Sequence, residues 1–185
     1  IPETTPELTT EDPERSAMGQ GTNSYSNVQL SRYVAAIANS GTVYDLSLLD
    51  KMTDSEGNLI KDFTPEVTGH VDIADSTWDA VHQGMRAVVT DGSVNKIFKD
   101  LEVEIAGKTG TAQESRTRGN HAFFISYGPY TNPEICVTVN IPYGYSSSNA
   151  AMVAKNVYRF YYGYTDLDSI LGNGALEVSN VRVGD

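Results

Sequence analysis

One lysine, two threonines and two glycines fall within the stretch AGKTGTAQ, residues 106–113. Lys108 offers a positive charge, and Thr109 and Thr111 offer hydroxyl groups. The glycines carry no side chain, so another molecule can approach the backbone closely here. A carboxylate is bound well by a cation with hydrogen-bond donors, and an extended peptide binds by pairing with a strand edge. These residue types therefore suit an extended substrate that carries an amide and a carboxylate.

The five residues before this stretch alternate in polarity, which indicates a strand. Leu101, Val103 and Ile105 would share one face, and the two glutamates between them would lie on the other. A period of two predicts a strand with one buried face, and this strand would continue into the lysine and the threonines. The less specific interpretation is an edge strand that is weakened by glycine and carries a surface lysine.

Helices on both sides of this strand would position it. They are predicted at about 26–39, with a capping box of Ser26 and Gln29, at 75–90, capped by Asp75 or Ser76, and at 149–162, capped by Ser147 or Ser148. The segment 42–63 is typical of a hairpin that turns at 54–58, and 122–128 and 135–141 are typical of two further strands. A weak signal indicates one more short strand near 176–183.

This order of elements predicts an α+β fold, an antiparallel sheet flanked by helices. Three strands are few for this amount of helix. We therefore expect further strands from sequence outside this chain.

The charge balance excludes some classes of function. The 185 residues carry a net charge of −11, from 24 acidic and 13 basic residues, which argues against a nucleic-acid surface. No stretch approaches the ~18 consecutive apolar residues that a membrane-spanning helix needs, and no signal peptide is visible. We expect contact with a membrane only through a segment outside this chain.

Few residues could bind a metal or form a disulfide. Cys136 is the one cysteine and lies in an apolar run, so we expect it to be a small core residue. His70, His82 and His121 share no ligand spacing, and His82 lies beside the apolar stripe of its helix, where a boundary histidine is expected. We predict neither a metal nor a cofactor.

The chain resembles the C-terminal half of the transpeptidase domain of a class B penicillin-binding protein, the high-molecular-weight, monofunctional type. The resemblance rests first on the motif Lys108 to Gly110, which accompanies Ser-x-x-Lys and Ser-x-Asn in penicillin-binding proteins and serine β-lactamases. It extends to MGQG at 18–21, AAIANSG at 35–41, MRAVVTDG at 85–92 and HAFF at 121–124. The implied fold is that of the penicillin-binding proteins and serine β-lactamases, incomplete in this chain.

The resemblance implies roles for four residues. Lys108 would assist proton transfer and help to bind the carboxylate of the substrate. Thr109 and Thr111 would offer hydroxyl groups to the carboxylate of a donor peptide or a β-lactam, with Gly110 between them in the binding strand. The backbone N–H of Thr111 would be one of two donors in an oxyanion hole, the other being the N–H of the nucleophilic serine.

The nucleophile itself has no clear match. The family carries Ser-x-x-Lys and then Ser-x-Asn before the lysine motif, and no residues here fit both in that order. Ser93 to Lys96 matches Ser-x-x-Lys, but it lies shortly before the motif strand, where a turn is expected. Ser147 to Asn149 matches Ser-x-Asn, but it follows the motif, and helix capping explains it. We therefore predict that the nucleophile lies outside this chain and that the isolated chain is inactive.

Three functions are compatible with this interpretation. The first is part of a bacterial peptidoglycan D,D-transpeptidase at the extracytoplasmic face of the cell membrane, which cross-links stem peptides through a serine acyl-enzyme and is acylated by β-lactams. Its partner would be the N-terminal half of the same domain; residues 1–163 would belong to that domain and 164–185 to a tail. The second is a non-catalytic sensor of β-lactams or peptidoglycan peptides. The third is a serine β-lactamase, over which MGQG and AIANSG favour the transpeptidase.

Overall fold

The computed structural model describes residues 25–113 and 117–172, together with the isolated residues 14 and 19. The described helices and strands are, in chain order, α1 (Asn27–Ala38), β1 (Thr42–Tyr44), β2 (Lys51–Thr53), β3 (Leu59–Asp62), β4 (Val67–His70), α2 (Asp75–Thr90), α3 (Asn95–Phe98), β5 (Ala106–Ala112), β6 (His121–Gly128), β7 (Ile135–Ile141), α4 (Ser147–Tyr161) and α5 (Leu167–Gly172). The short helices α3 and α5 were not predicted.

The main sheet is antiparallel and lies between two layers of helix. β6 is its central strand, with β5 and β7 on either side. One face packs against α3 and α4, where Phe124 and Tyr158 are fully buried. The other face packs against α1 and α2, where Ile37 and Tyr127 are buried. The predicted α+β class, an antiparallel sheet flanked by helices, is confirmed.

The helix ends agree only in part with the predicted caps. At α1 the N–H of Gln29 donates to Ser26 Oγ at 3.2 Å and the N–H of Ser26 donates to Gln29 Oε1 at 2.9 Å, which confirms the capping box. At α2 the cap position is Ala74, without a side-chain hydrogen bond, so the prediction of Asp75 or Ser76 was wrong. At α4 the cap is Ser146, whose Oγ accepts from the N–H of Ser148, because the helix begins two residues earlier than predicted.

The segment predicted as one hairpin contributes to two small sheets. β2 and β3 pair across the predicted turn, where Asp54 Oδ1 accepts from the N–H groups of Glu56 at 2.9 Å and Asn58 at 2.8 Å. β1 pairs instead with β4, beyond the predicted second arm. The prediction of a single hairpin was wrong because the partner of β1 is separated from it in sequence, and local alternation does not show such a pairing.

β5 begins at Ala106, so the predicted strand over 101–105 was wrong. The burial does alternate: Ile105 is buried, Leu101 and Val103 are half-buried, and the glutamates are exposed. However, the pairing with β6 stops at Ala106, which lies opposite Tyr127, and the carbonyl of Glu104 accepts from the N–H of Tyr130 in a loop at 2.8 Å. Without a partner strand, the alternating residues pack as an extended segment and form no ladder.

Some predicted features lie outside the described residues, among them the strand near 176–183 and most of MGQG at 18–21. No helix within the described ranges is long and apolar enough to cross a membrane.

Candidate functional site

β5 forms one edge of the main sheet and carries the residues that the sequence indicated. Lys108 lies opposite Ile125 and Thr111 opposite Ala122 on β6. No strand of the described residues pairs with the outer side of β5. An unpaired edge presents N–H and C=O groups that can hydrogen-bond an added extended chain. The described part of the molecule therefore leaves this edge open to such a chain.

The polar residues of β5 divide between its two faces. Lys108 and Thr111 are exposed, while Thr109 and Gly110 are half-buried. Because successive side chains of a strand alternate, the two threonines share a face and Lys108 lies on the other. The structure thus brings the lysine and both hydroxyl groups to one strand edge, with the backbone of the strand between them.

The ammonium group of Lys108 has a neutral partner. Its Nζ donates to the backbone carbonyl of Thr109 at 2.6 Å. No carboxylate of the described residues forms an ion pair with it. A cation that is satisfied only by a carbonyl can form a stronger, charge-assisted bond to an anionic ligand. Lys108 is therefore suited to bind a carboxylate or to exchange a proton at this edge.

The packing of the protein core explains why residue 107 is a glycine. A Cβ atom there would lie 2.5 Å from the ring of Phe124 and 3.0 Å from the carbonyl oxygen of Ile125. Phe124 is fully buried and stacks on Phe98, with ring centroids 5.3 Å apart. The glycine marks a close approach of backbone, as its residue type predicts, but the approach is to the core and not to a ligand.

Arg86 of α2 fixes the start of β5. Its Nη1 donates to the carbonyl of Ile105 at 2.7 Å, and its Nη2 donates to Glu104 Oε1 at 2.7 Å. The guanidinium group also lies 5.7 Å from the ring centre of Tyr130, within range of a cation–π contact. The residues before the edge strand are thereby tied both to α2 and to the loop after β6.

A group of residues that we call the strand clasp lies beside the far end of β5, where Ala112 is opposite His121. It is formed by Arg118, Asn120, His121, Tyr143 and Tyr145. Arg118 Nη1 donates to the hydroxyl of Tyr143 at 2.9 Å, and its guanidinium lies 5.5 Å from the ring centre. The N–H of Tyr143 donates to His121 Nδ1 at 3.3 Å, and the N–H of Tyr145 donates to the carbonyl of Asn120 at 3.0 Å. The clasp joins the loop before β6 to the loop after β7.

The clasp holds two residues in an unfavourable backbone conformation. Tyr143 has a φ of 55° and Tyr145 a φ of 60°, the left-handed region that costs a residue other than glycine about 1–3 kcal/mol. Such residues persist only where their surroundings determine the conformation. The hydrogen bonds of the clasp fix the backbone of Tyr143 and Tyr145 in this conformation.

The two segments that match nucleophile motifs, Ser93 to Lys96 and Ser147 to Asn149, make no observed hydrogen bond to Lys108, Thr109 or Thr111 within the described residues. Ser93 is exposed in the turn between α2 and α3, as predicted. Ser147 and Ser148 open α4, and the side chain of Asn149 donates to the carbonyl of Gly144 at 2.8 Å. Ser126 is buried, and its Oγ donates to the carbonyl of Val137 at 3.2 Å. Ser126 therefore has a structural role, and Ser93, Ser147 and Ser148 are not hydrogen-bonded to Lys108.

Cys136 and His82 are both held within the protein interior or at its boundary. Cys136 is half-buried beside the α1–α2 core, and burial raises the pKa of its thiol to about 11, so it remains a neutral thiol and a poor nucleophile. His82 Nε2 donates to the carbonyl of Ile37 at 2.7 Å, as expected for a boundary histidine. Within the described residues, no three His, Cys, Asp or Glu side chains converge as metal ligands.

The described residues of β5 can therefore bind and polarise an extended ligand, because the open edge, Lys108 and the threonines can align such a chain and stabilise negative charge. Within the described residues, Lys108 Nζ is hydrogen-bonded to the carbonyl of Thr109 and to no serine or cysteine side chain. Sequence reasoning missed Arg86 and the strand clasp. No pattern signals them, because each acts through backbone carbonyls and aromatic rings that are distant in sequence.

Comparisons with known proteins agree with the arrangement. The family described as the penicillin-binding protein transpeptidase domain matches residues 3–159. Penicillin-binding protein 2B of Streptococcus pneumoniae serotype 2 is 32% identical over 162 residues, which are 80% of this chain and 24% of that protein. The peptidoglycan D,D-transpeptidase MrdA of Haemophilus influenzae is 30% identical over 171 residues, 78% of this chain and 25% of that protein. The chain spans about a quarter of the length of the curated relatives it matches.

A solved structure supports the fold independently. Penicillin-binding protein A from M. tuberculosis, in an imipenem acyl-enzyme complex, superposes with a TM-score of 0.69 at 21% identity, over 80% of this chain and 33% of that one. The fold that the resemblance implied is confirmed.

Proposed function

The chain belongs to the family of penicillin-binding protein transpeptidase domains of class B, and from this premise we propose that it supplies one wall of a peptidoglycan D,D-transpeptidase active site. The observation that carries the proposal is the open outer edge of β5, where Lys108 and Thr111 are exposed. Arg86 bonds to the residue before this strand, and the end of the strand lies opposite His121 of the strand clasp. Its location would be the cell envelope, at the extracytoplasmic face of the membrane.

In this proposal the substrate is a stem peptide that ends in two D-alanines and lies extended along β5. Its backbone amides pair with the free edge. Its terminal carboxylate is bound by the hydroxyl groups of Thr109 and Thr111, which share one face of the strand, and Lys108 adds its positive charge across the strand edge from the other face. Gly110, between the threonines in sequence, lies on the Lys108 face and adds no side chain beside the lysine. A β-lactam, which carries an amide and a carboxylate, occupies the same groups.

The reaction is acyl transfer in two steps. The oxygen of a serine bonds to the carbonyl carbon of the penultimate residue, its proton passes to the leaving amine with the help of Lys108, and the terminal D-alanine departs. The amine of a second stem peptide then attacks the ester carbonyl carbon and forms the amide cross-link, while a proton from this amine passes to the serine oxygen as the ester bond breaks. The N–H of Thr111 would donate to the oxyanion in both steps, and a fixed donor of this kind contributes about 2.7–4 kcal/mol to the barrier reduction.

The serine would come from the N-terminal half of the same domain, outside this chain. Two observations support this division. The chain spans about a quarter of the length of its relatives. The outer side of β7 is also unpaired in the described residues and borders a groove of about 500 Å³, which α1 and α4 line with Ser31 and Val153 among others. Added strands could pair there.

The domain boundary follows the last long helix. Residues 1–163 would belong to the transpeptidase domain and 164–185 to a tail, with α4 ending at Tyr161.

The experiment is intact-mass spectrometry after exposure to benzylpenicillin, on the 185-residue chain and on the same chain joined to the remainder of its domain. We expect one penicilloyl adduct on the complete domain, none on the isolated chain, and a modified serine outside residues 1–185. An adduct on the isolated chain would contradict the location of the nucleophile, and Ser93 would be the first residue to examine. Rapid loss of the adduct would favour a β-lactamase, and a stable adduct without cross-linking of stem peptides would favour a sensor.

A further inference from the structure

We propose that the β2–β3 hairpin, residues 45–66, is a docking arm for a protein partner whose contact surface is apolar and basic. The hairpin lies between β1 and β4, which form the small sheet at its base. β2 and β3 pair with each other, and no other described helix or strand packs extensively against them. The arm therefore projects from the α1 side of the molecule without a core of its own.

The arm exposes an unusual amount of apolar surface. Leu48 is fully exposed, and Leu49, Leu59 and Ile60 are each about 60% exposed; Leu46 and Met52 are each 47% exposed. Single exposed apolar residues are normal, but a contiguous group of them marks an interaction site. Met52, Leu59 and Ile60 lie on the two paired strands, and Leu46, Leu48 and Leu49 lie in the segment that leads into β2. Six exposed apolar side chains within residues 46–60 concentrate apolar surface on this arm.

Local hydrogen bonds hold the ribbon in shape. A two-stranded hairpin alone is only marginally stable. Here Asp54 accepts from the N–H groups of Glu56 and Asn58 and from the Asn58 side chain at 2.9 Å. The N–H of Phe63 donates to the carbonyl of Asp50 at 2.9 Å, and Lys61 Nζ lies 4.6 Å from the ring centre of Phe63. A preordered arm loses less conformational entropy when it binds a partner.

The negative charge of the arm favours a partner with a basic surface. Residues 45–66 contain six carboxylates and two lysines, a net charge of −4. Anionic lipid surfaces and nucleic acids would be repelled. A second copy of this chain, itself at −11, would also be repelled. The surface that complements the arm is a protein surface with exposed apolar side chains surrounded by lysine and arginine, since complementary charge favours encounter and fixes orientation.

The arm is anchored away from β5. Arg32 of α1 donates from Nη2 to Thr68 Oγ1 of β4 at 2.8 Å, and the carbonyl of Val43 accepts from the same hydroxyl at 3.2 Å. Its base thus rests on α1, while β5 packs against β6, α2 and α4. Binding at the arm leaves the edge of β5 free, so the inference does not depend on the proposed function.

The test uses a synthetic amphipathic peptide with leucines on one face and lysines on the other, titrated into the isotopically labelled chain and followed by amide chemical shifts. We expect saturable shifts confined to residues 45–66 and an affinity that falls with salt. The double variant Leu48→Ser/Ile60→Ser should bind at least about tenfold more weakly. The control is Phe160→Ser, at a residue of α4 with comparable exposure, which should bind like the parent chain.

Three results would overturn the proposal. The first is shifts spread over the acidic surface, or equal binding by the double variant, which would show non-specific attraction between charges. The second is equal binding of the matched peptide with glutamates in place of lysines. The third is binding of the arm to phosphatidylglycerol vesicles or to a second copy of the chain, which would identify a different occupant.

Discussion

The guanidinium of Arg86 lies 2.7 Å from the carbonyl oxygen of Ile105, and this hydrogen bond joins the middle of α2 to the residue that precedes β5. The same side chain reaches Glu104 Oε1 at 2.7 Å. The two contacts differ in their surroundings, because the Glu104 side chain is 67% exposed while Ile105 is buried. The bond to the carbonyl, rather than the ion pair, is therefore expected to hold the start of the edge strand.

Replacing Arg86 by Met should lower the free energy of unfolding by about 1–3 kcal/mol, because the carbonyl of Ile105 loses its donor in a buried setting. Replacing Glu104 by Gln should change it by less than about 1 kcal/mol, because exposed ion pairs contribute little. Urea unfolding of both variants measures the difference. Equal losses would show that the ion pair and not the carbonyl bond is the important contact.

Gly107→Ala should destabilise the protein by about 1–3 kcal/mol, since the added methyl group would lie 2.5 Å from the ring of buried Phe124. Gly84 of α2 is the matched control, because a Cβ there meets nothing within 4 Å. Gly84→Ala should instead raise stability by about 1 kcal/mol, as expected in a helix interior. Thermal melting of the two variants tests the assignment, and a neutral Gly107→Ala would mean that Phe124 can move.

Tyr127 and Tyr158 form a second matched pair, on opposite faces of the sheet. The buried hydroxyl of Tyr127 has no hydrogen-bond partner among the described residues, whereas that of Tyr158 donates to Ser126 Oγ at 3.0 Å. Tyr127→Phe should therefore raise the free energy of unfolding by about 1 kcal/mol or more, and Tyr158→Phe should lower it by about 1 kcal/mol. Denaturant midpoints measure both changes, and a loss in Tyr127→Phe would reveal a partner for that hydroxyl.

The same tyrosines make stability depend on pH in the alkaline range. Burial raises the pKa of Tyr127 to about 12, and burial also raises the pKa of Tyr158. The folded protein keeps these protons after the unfolded chain has lost them near pH 10. Their contribution is complete below about pH 10 and is lost as the pH rises toward the folded-state value. Tyr127→Phe should flatten the fall in stability between about pH 10 and pH 12; an unchanged slope would show that this tyrosine does not titrate with unfolding.

The hydrogen bond between Arg118 and Tyr143 in the strand clasp can be tested for an effect on the acylation site. Tyr143→Phe removes the acceptor of Arg118 and keeps the ring, so we expect the N–H contact to His121 to persist while the loop before β6 loosens. In the complete domain, the rate constant for β-lactam acylation should fall by about three- to tenfold, equivalent to a hydrogen bond of about 0.5–1.5 kcal/mol. Tyr145→Phe is the control, because Tyr145 contributes its backbone N–H. Equal effects of the two substitutions would contradict the role of the Arg118 bond.

The sequence was informative where the signal is local. The capping box at Ser26, the limits of α2, the turn at Asp54 and the strand β7 could all be predicted, because each depends on neighbouring residues. The start of β5 could not, since Leu101 to Ile105 alternates in burial but has no strand beside it. The partner of β1 and the contacts of Arg86 and Tyr143 depend on distant segments. For the site, the residue types of Lys108, Thr109 and Thr111 indicated the chemistry, while the core contact of Gly107 required the position of Phe124.

The role of β5 in substrate binding is tested most directly by the acylation of Lys108→Ala in the complete domain, measured with a fluorescent penicillin. We expect the second-order rate constant of acylation to fall at least about 100-fold, as when a charge-stabilising group is removed from an acyl-transfer site. The melting temperature should be nearly unchanged, because the side chain is exposed. Lys51→Ala, another exposed lysine, should acylate normally. Normal acylation by Lys108→Ala would contradict the assignment of β5 as the substrate-binding wall.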